Sequence, residues 1–248
     1  MKNLNKRVSA AVKHFWTTRS SQDIKQGKKS GQRDSGNRTA ATGGKQLDGF
    51  VDLVAKLLKE AGVPKSAIYR TGRAEVTIPG FFRPTKQWDL LVVHGGGLLC
   101  AVEFKSLCGP SFGNNYNNRV EEALGSSTDM WTAYREKVFP PSPRPVLGYL
   151  FVLEDAPGST RSVAVSEKHF PVLDDYRDAS YEQRCVESLS RLLRERCYDA
   201  TCLILSARDT GRKGAYREPS EELAFQRFAR DLCGHVAASY SSVSDAGK

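Results

Sequence analysis

The chain has 248 residues, 40% of them hydrophobic, with 37 Lys/Arg against 28 Asp/Glu and a formal net charge of +9. Length and composition permit a core of ordinary size and exclude a wholly disordered chain, and no apolar run approaches the roughly 18 residues of a membrane span. The N-terminus is basic and polar without a signal-peptide apolar stretch, so a soluble, cytoplasmic protein is expected.

The charge excess sits at one end. Residues 1–45 hold 11 Lys/Arg and 2 Asp/Glu, whereas residues 46–248 hold 26 of each. Within this basic arm Leu4, Val8, Ala11, Val12 and Phe15 follow helical spacing, while QGKKSGQRDSGNRTAATGG has no apolar period and is expected to be a flexible linker. Such an arm on a charge-balanced domain suits a polyanion, most commonly nucleic acid, because neutralised phosphates release their counterions. A solvated tail has the same composition. The expected division is an arm over 1–45 and one α/β domain over 46–248.

From Gln46 to Ala61 one apolar stripe (Leu47, Phe50, Val51, Val54, Leu57, Leu58, Ala61) predicts an amphipathic helix ended by Gly62 and Pro64. Residues 74–79 predict a short strand. The next two runs, WDLLVVH and LLCAVEFKS, are rich in β-formers and are joined by Gly95-Gly96-Gly97, which predicts a hairpin with a three-residue loop. A phosphate-cradling glycine loop would open a helix rather than a strand, so no nucleotide cofactor is expected.

The loop CGPSFGNNYNN follows, then a predicted helix from Arg119 to Val138 that stops before a cluster of prolines. Val146–Leu153 is a continuous apolar run, as expected of a strand covered on both faces. Tyr181, Cys185, Val186, Leu189, Leu192 and Leu193 mark another helix, 201–207 another buried strand, and Pro219 opens a last helix carrying Phe225, Phe228, Ala229, Leu232 and Val236. The order predicts a mixed central β-sheet flanked by helices, its third and fourth strands parallel through a right-handed crossover.

Pairing His94 with Leu98 places Asp89 opposite Glu103, with β-carbons about 4.5 to 5.5 Å apart. Alternation sends Lys105 to the same face as Glu103, while Trp88, Leu90, Val92, Val102 and Phe104 pack behind. Opposed carboxylates repel unless a positive charge lies between them, and one lysine meets only part of that need. A divalent cation would meet the rest. Oxygen ligands from Asp89 and Glu103, a main-chain carbonyl and water suit Mg²⁺ better than zinc. Lys105 could then orient or deprotonate an attacking water. An exposed strand end with ordinary ion pairs is the structural alternative.

For a further acidic ligand, Glu75 on the preceding strand is preferred to Asp48 or Asp52. The six cysteines form no CxxC pair and fit reduced core thiols. His14, His94, His169 and His235 are too scattered for a catalytic role. In the loop after the catalytic strand, Asn114, Asn115, Asn117, Asn118 and Arg119 carry groups that pair with adenine and guanine, although Gly/Asn loops also serve backbone geometry alone. Beyond the last strand, Arg208, Arg212, Lys213 and Arg217 could contact phosphate or bases, and a solvated charged loop would look the same.

Asp89 with Glu103-Phe104-Lys105 resembles the PD-(D/E)xK nuclease superfamily, with Trp88 where that pattern often has proline. More widely, QWDLLVVHGGGLLCAVEFKSLCGPSFGNNYNNRVEEALG through RPVLGYLFVLED resembles the XhoI family of type II restriction endonucleases over nearly the full length. The resemblance implies a homodimer that uses Mg²⁺ to cut double-stranded DNA at CTCGAG, after the first C of each strand. Asp89, Glu103 and Lys105 would be catalytic, with Asp89, Glu103 and the Phe104 carbonyl on the metal. The alternatives are a repair or recombination nuclease of the same fold that reads DNA structure, and a non-enzymatic DNA-binding protein.

Overall fold

The computed structural model describes residues 3–30, 45–140 and 142–246; of the linker predicted over 26–44, residues 26–30 instead close the first helix, and 31–44 lie outside the described residues. Fourteen α-helices and β-strands follow one another in these residues, besides three short 3₁₀ turns. They are α1 (Leu4–Ser30), α2 (Asp48–Glu60), β1 (Ile68–Tyr69), β2 (Thr77–Pro79), β3 (Thr85–Gln87), β4 (Leu90–His94) and β5 (Gly97–Leu107). Then come α3 (Phe112–Arg135), β6 (Val146–Glu154), α4 (Pro157–Thr160), α5 (Tyr181–Arg194), β7 (Ala200–Ser206), α6 (Arg208–Gly211) and α7 (Phe225–Ala246).

The main sheet has the order β1-β4-β5-β6-β7, antiparallel from β1 to β5 and parallel from β5 to β7. The expected mixed sheet, the expected hairpin and the parallel pairing of β5 with β6 are all present. Helices α1, α2 and α7 pack on one face against Leu90, Val92, Val102 and Phe104. Helices α3 and α5 cover the other, against Leu91, Ala101, Tyr149 and Phe151. Buried residues cover both faces of β6 and β7 from end to end, which is why their sequences read as unbroken apolar runs.

Several elements differ from the sequence expectation. The N-terminal helix is not an arm: Leu4, Val8, Ala11, Val12, Phe15 and Trp16 all belong to the same core as α2 and α7. Of the strand expected over 74–79 only Thr77–Pro79 forms, and it pairs with β3, unforeseen, as a hairpin outside the main sheet. Residues 112–118, expected as loop, are the first turns of α3. Their glycine and asparagines are poor helix formers, and burial of Phe112 and Tyr116 overrides that preference. The last helix starts at Phe225 rather than at Pro219.

The glycine turn is tighter than predicted, yet the register at Asp89 survives. His94 pairs with Gly97, so the loop is the two residues Gly95 and Gly96, whose φ of 57° and 76° suits a type I′ turn. Val93 then faces Leu98 while Val92 faces Cys100, which leaves Leu99 as a bulge. That one extra residue restores the offset a three-residue loop would have set, and the ladder runs on to Leu90 opposite Val102.

Candidate active site

Asp89 stands just before β4, and Glu103 and Lys105 lie in the second half of β5, on the face covered by α3 and α5. Asp89 Oδ2 accepts the Phe104 N–H at 2.7 Å, which ties the first carboxylate across the end of the ladder. Because a strand residue sends its N–H and C=O to the same side, the Phe104 carbonyl also turns toward Asp89, beyond the last β4 pairing. Glu103 is buried, with 4% of its surface exposed.

What holds a carboxylate there is a pair of lysines. Lys105 Nζ bonds Glu103 Oε1, and Lys86 Nζ donates to Glu103 Oε2 at 2.9 Å. Lys86 comes from β3 and rests over the Trp88 ring, 4.5 Å from its centroid. Trp88 thus lies on the carboxylate side and forms the floor under Lys86, not packing behind the site as expected. The sequence offered one signal for Lys86: the opposed carboxylates demanded a second cation, and it is the nearest basic residue before Asp89.

The electrostatics follow from burial and pairing. Desolvation, then the neighbouring Glu103 charge, pushes the Asp89 carboxyl up to about 6. Burial raises the Glu103 carboxyl too, but the two lysines outweigh it and hold it below the ordinary glutamate range. Lys105, with Glu103, Asp89 and Glu122 around it, is held above the ordinary lysine value despite burial. It is therefore an ammonium in this arrangement, suited to orienting water and countering phosphate charge rather than to taking a proton.

The raised Asp89 value gives a stability prediction. The unfolded chain ionises this carboxyl near 3.8 and the folded one near 6, so the ionised group weighs against folding. The burden is absent below about pH 4 and complete above about pH 6. Asp89→Asn should accordingly be more stable than the parent by about 1–3 kcal/mol at pH 8 and equal to it near pH 4. Urea denaturation at the two pH values measures this, and equal stability at pH 8 would contradict it.

Two carboxylates, two ammoniums and a carbonyl balance in charge, so repulsion alone does not require a metal. The oxygen donors still fit one: Asp89, Glu103 and the Phe104 carbonyl could hold Mg²⁺, with water filling its remaining positions. Among the described residues no group of three or more His, Cys, Asp or Glu side chains converges on a metal position. Glu75 adds no strand ligand, because it sits in the turn before β2, exposed, and folds back toward Gly72.

The residues expected to touch DNA fall into two groups, both beyond the C-terminal ends of the parallel strands. Asn114, Asn117 and Asn118 are exposed at helical spacing on the first turns of α3. Asn115 instead bonds the Ser111 carbonyl at 2.7 Å, and Arg119 pairs with Glu122 and lines a cavity of about 200 Å³ between α3 and α5. In the second group Arg212 and Lys213 are exposed, while Arg208 reaches Glu154 at 3.4 Å. Arg217 is committed to Asp155 and Glu182, so it is structural.

A profile of the restriction endonuclease XhoI family matches residues 25–218. This chain belongs to that family. It is 45% identical over 222 residues to the type II restriction enzyme BstVI of Geobacillus stearothermophilus, an overlap covering 88% of this chain and 98% of that enzyme. It is 46% identical over 165 residues to AbrI of Azospirillum brasilense, covering 66% and 73% of the two chains. The type II restriction enzyme XhoI of Xanthomonas vasicola is 42% identical over 173 residues, covering 70% of this chain and 68% of its own. No solved structure matches. Membership in the XhoI family makes the chain a site-specific deoxyribonuclease and sets aside the non-enzymatic reading. No helix among the described residues is long and apolar enough to cross a membrane.

Proposed function

We propose that this XhoI-family enzyme is a Mg²⁺-dependent type II restriction endonuclease whose cutting centre is Asp89, Glu103 and Lys105. The observation that carries the site is a buried glutamate clamped between two lysines, beside an aspartate on the next strand, in a chain of this family. Held by Asp89, Glu103 and the Phe104 carbonyl, Mg²⁺ would act as a Lewis acid on the scissile phosphate. Lys105 orients the water for in-line attack and counters the charge gathering on phosphorus. Lys86 keeps Glu103 ionised and fixed from the opposite side. The products are a 5′-phosphate and a 3′-hydroxyl.

The proposed target, by family resemblance, is the palindrome CTCGAG cut after the first C of each strand. A twofold-symmetric homodimer, each subunit supplying one centre, would read such a site. The exposed face of Asn114, Asn117 and Asn118 supports α3 as an element that enters the major groove, where asparagine pairs with adenine. Arg212 and Lys213 are placed to meet phosphates. Digesting DNA of known sequence with and without Mg²⁺ tests the reading: discrete fragments with 5′ overhangs, only with the metal, are expected. Fragments independent of sequence, or cutting confined to branched or damaged DNA, would favour a structure-reading repair nuclease instead.

Because α1 is core, the contribution of the basic residues at its end and beyond it must be tested by charge removal and not by deletion of residues 1–45. Replacing Lys28, Lys29, Arg33 and Arg38 with glutamine should reduce the slope of log affinity against log salt by about 0.9 per lost phosphate contact. An unchanged slope would show that the segment does not meet the duplex.

A further inference from the structure

We infer that the tip of the β2–β3 hairpin is a wedge that inserts Phe82, backed by Phe81, into a base step of the bound duplex beside the cut site. Phe82 is 69% exposed and Phe81 47%, among the largest exposures of any apolar side chain in the described residues. Their rings meet edge to face with centroids 5.0 Å apart.

The loop that presents them is built to hold still. Asp129 on α3, itself 4% exposed, accepts the Phe81 N–H at 2.9 Å and the Phe82 N–H at 2.8 Å on one oxygen, and Arg83 Nε at 2.8 Å on the other. Gly80 lets the loop close over that carboxylate: a β-carbon there would stand 2.6 Å from Asp129 Oδ2. Pro79 and Pro84 bracket the turn. A buried carboxylate spent on fixing two exposed phenylalanines implies that their position matters, since a loop serving only connection would turn polar side chains outward.

Location identifies the occupant. β3 carries Lys86, which bonds Glu103, so the hairpin is joined to the cutting centre. At its tip Arg83 meets α3 at Gly125 and Asp129, one and two turns beyond Glu122, whose charge acts on Lys105. Phe82 lies four residues before Lys86, so the tip is within about 14 Å of backbone from the residue that bonds Glu103. From Arg70 to Lys86 the segment holds four cations, of which Arg70, Arg83 and Lys86 are paired with Asp52, Asp129 and Glu103. An apolar tip held rigidly beside a centre that cuts phosphodiester bonds matches a duplex, where a wedge between bases unstacks one step.

The inference rests on Asp89, Glu103 and Lys105 being the cutting centre, and its test separates the two. In a Lys105→Ala background, which keeps the Lys86–Glu103 bond, and with Mg²⁺ present, duplexes carrying 2-aminopurine at successive positions from the mapped cut site outward report unstacking by fluorescence. A several-fold rise at one step is expected on binding. Phe82→Ala should abolish it and weaken binding by about tenfold or more, with melting temperature unchanged, and Phe82→Leu should restore part of both. No rise at any step overturns the wedge, as does a rise that persists in the Phe81→Ala, Phe82→Ala double variant. A double variant that falls from dimer to monomer with its fluorescence response intact assigns the tip to self-contact and overturns it equally. Should Lys105→Ala still cut, the duplex fragments reveal that the centre is misassigned, independently of the fluorescence.

Discussion

Lys105→Ala is expected to abolish cleavage, lowering the rate by about a thousandfold or more, while leaving a folded protein that still binds its DNA. The magnitude follows from the role proposed for the ammonium in a partly buried site: its charge would lie where negative charge gathers on phosphorus, and water would not replace it at equal strength. The variant is a clean one because Glu103 keeps a cationic partner. Lys86 remains at 2.9 Å from Oε2, so the buried carboxylate is not stranded. Glu103→Gln should be equally inactive but less innocent, since it leaves Lys86 and Lys105 facing each other without an anion between them. A melting temperature near that of the parent for Lys105→Ala, and a lower one for Glu103→Gln, would distinguish loss of chemistry from loss of fold. Near-normal cutting by either variant would remove the cluster from the mechanism.

Most of the sheet and the core of this site were legible because both are written in short-range pattern. Alternation from Ala101 to Lys105 places Glu103 and Lys105 on one face, and unbroken apolar runs mark β6 and β7. Asp89 and Glu103 came together through a turn that differs from the predicted one, since the bulge at Leu99 compensates for the tighter loop. What could not be read depends on contacts between residues distant in sequence. Lys86 reaches Glu103 from a strand three residues long, too short to leave a periodic signal. The start of α3 is hidden because Gly113 and four asparagines argue locally for a loop, and burial of Phe112 and Tyr116 decides otherwise. Asp129 gave no sign of clamping a loop more than forty residues earlier.

The N-terminal helix shows the same limit on a larger scale, and it carries the largest expected stability effect. Its basic composition reads as an arm, yet Trp16 has no exposed surface. The indole Nε1 donates to Ser206 Oγ at 2.9 Å, and that hydroxyl donates onward to the Ala215 carbonyl at 2.7 Å. The ring fills the space over Gly211, where a β-carbon would come within 2.2 Å of it. Trp16 thus joins α1 to the end of β7 and to α6, the turn that carries Arg208. Trp16→Ala removes this packing and one partner of Ser206, and should cost about 3–5 kcal/mol. For a chain of this size that corresponds to a fall in melting temperature of about 6–10 °C, measurable by calorimetry. Trp16→Phe, which keeps most of the volume and loses the hydrogen bond, should fall between the two. A shift of less than about 2 °C for Trp16→Ala would return α1 to the status of a tail. A large shift means instead that the first helix of the chain is part of the fold, packed with α2 and α7 in one core and bonded to the end of β7, the strand parallel to and one removed from that of Lys105.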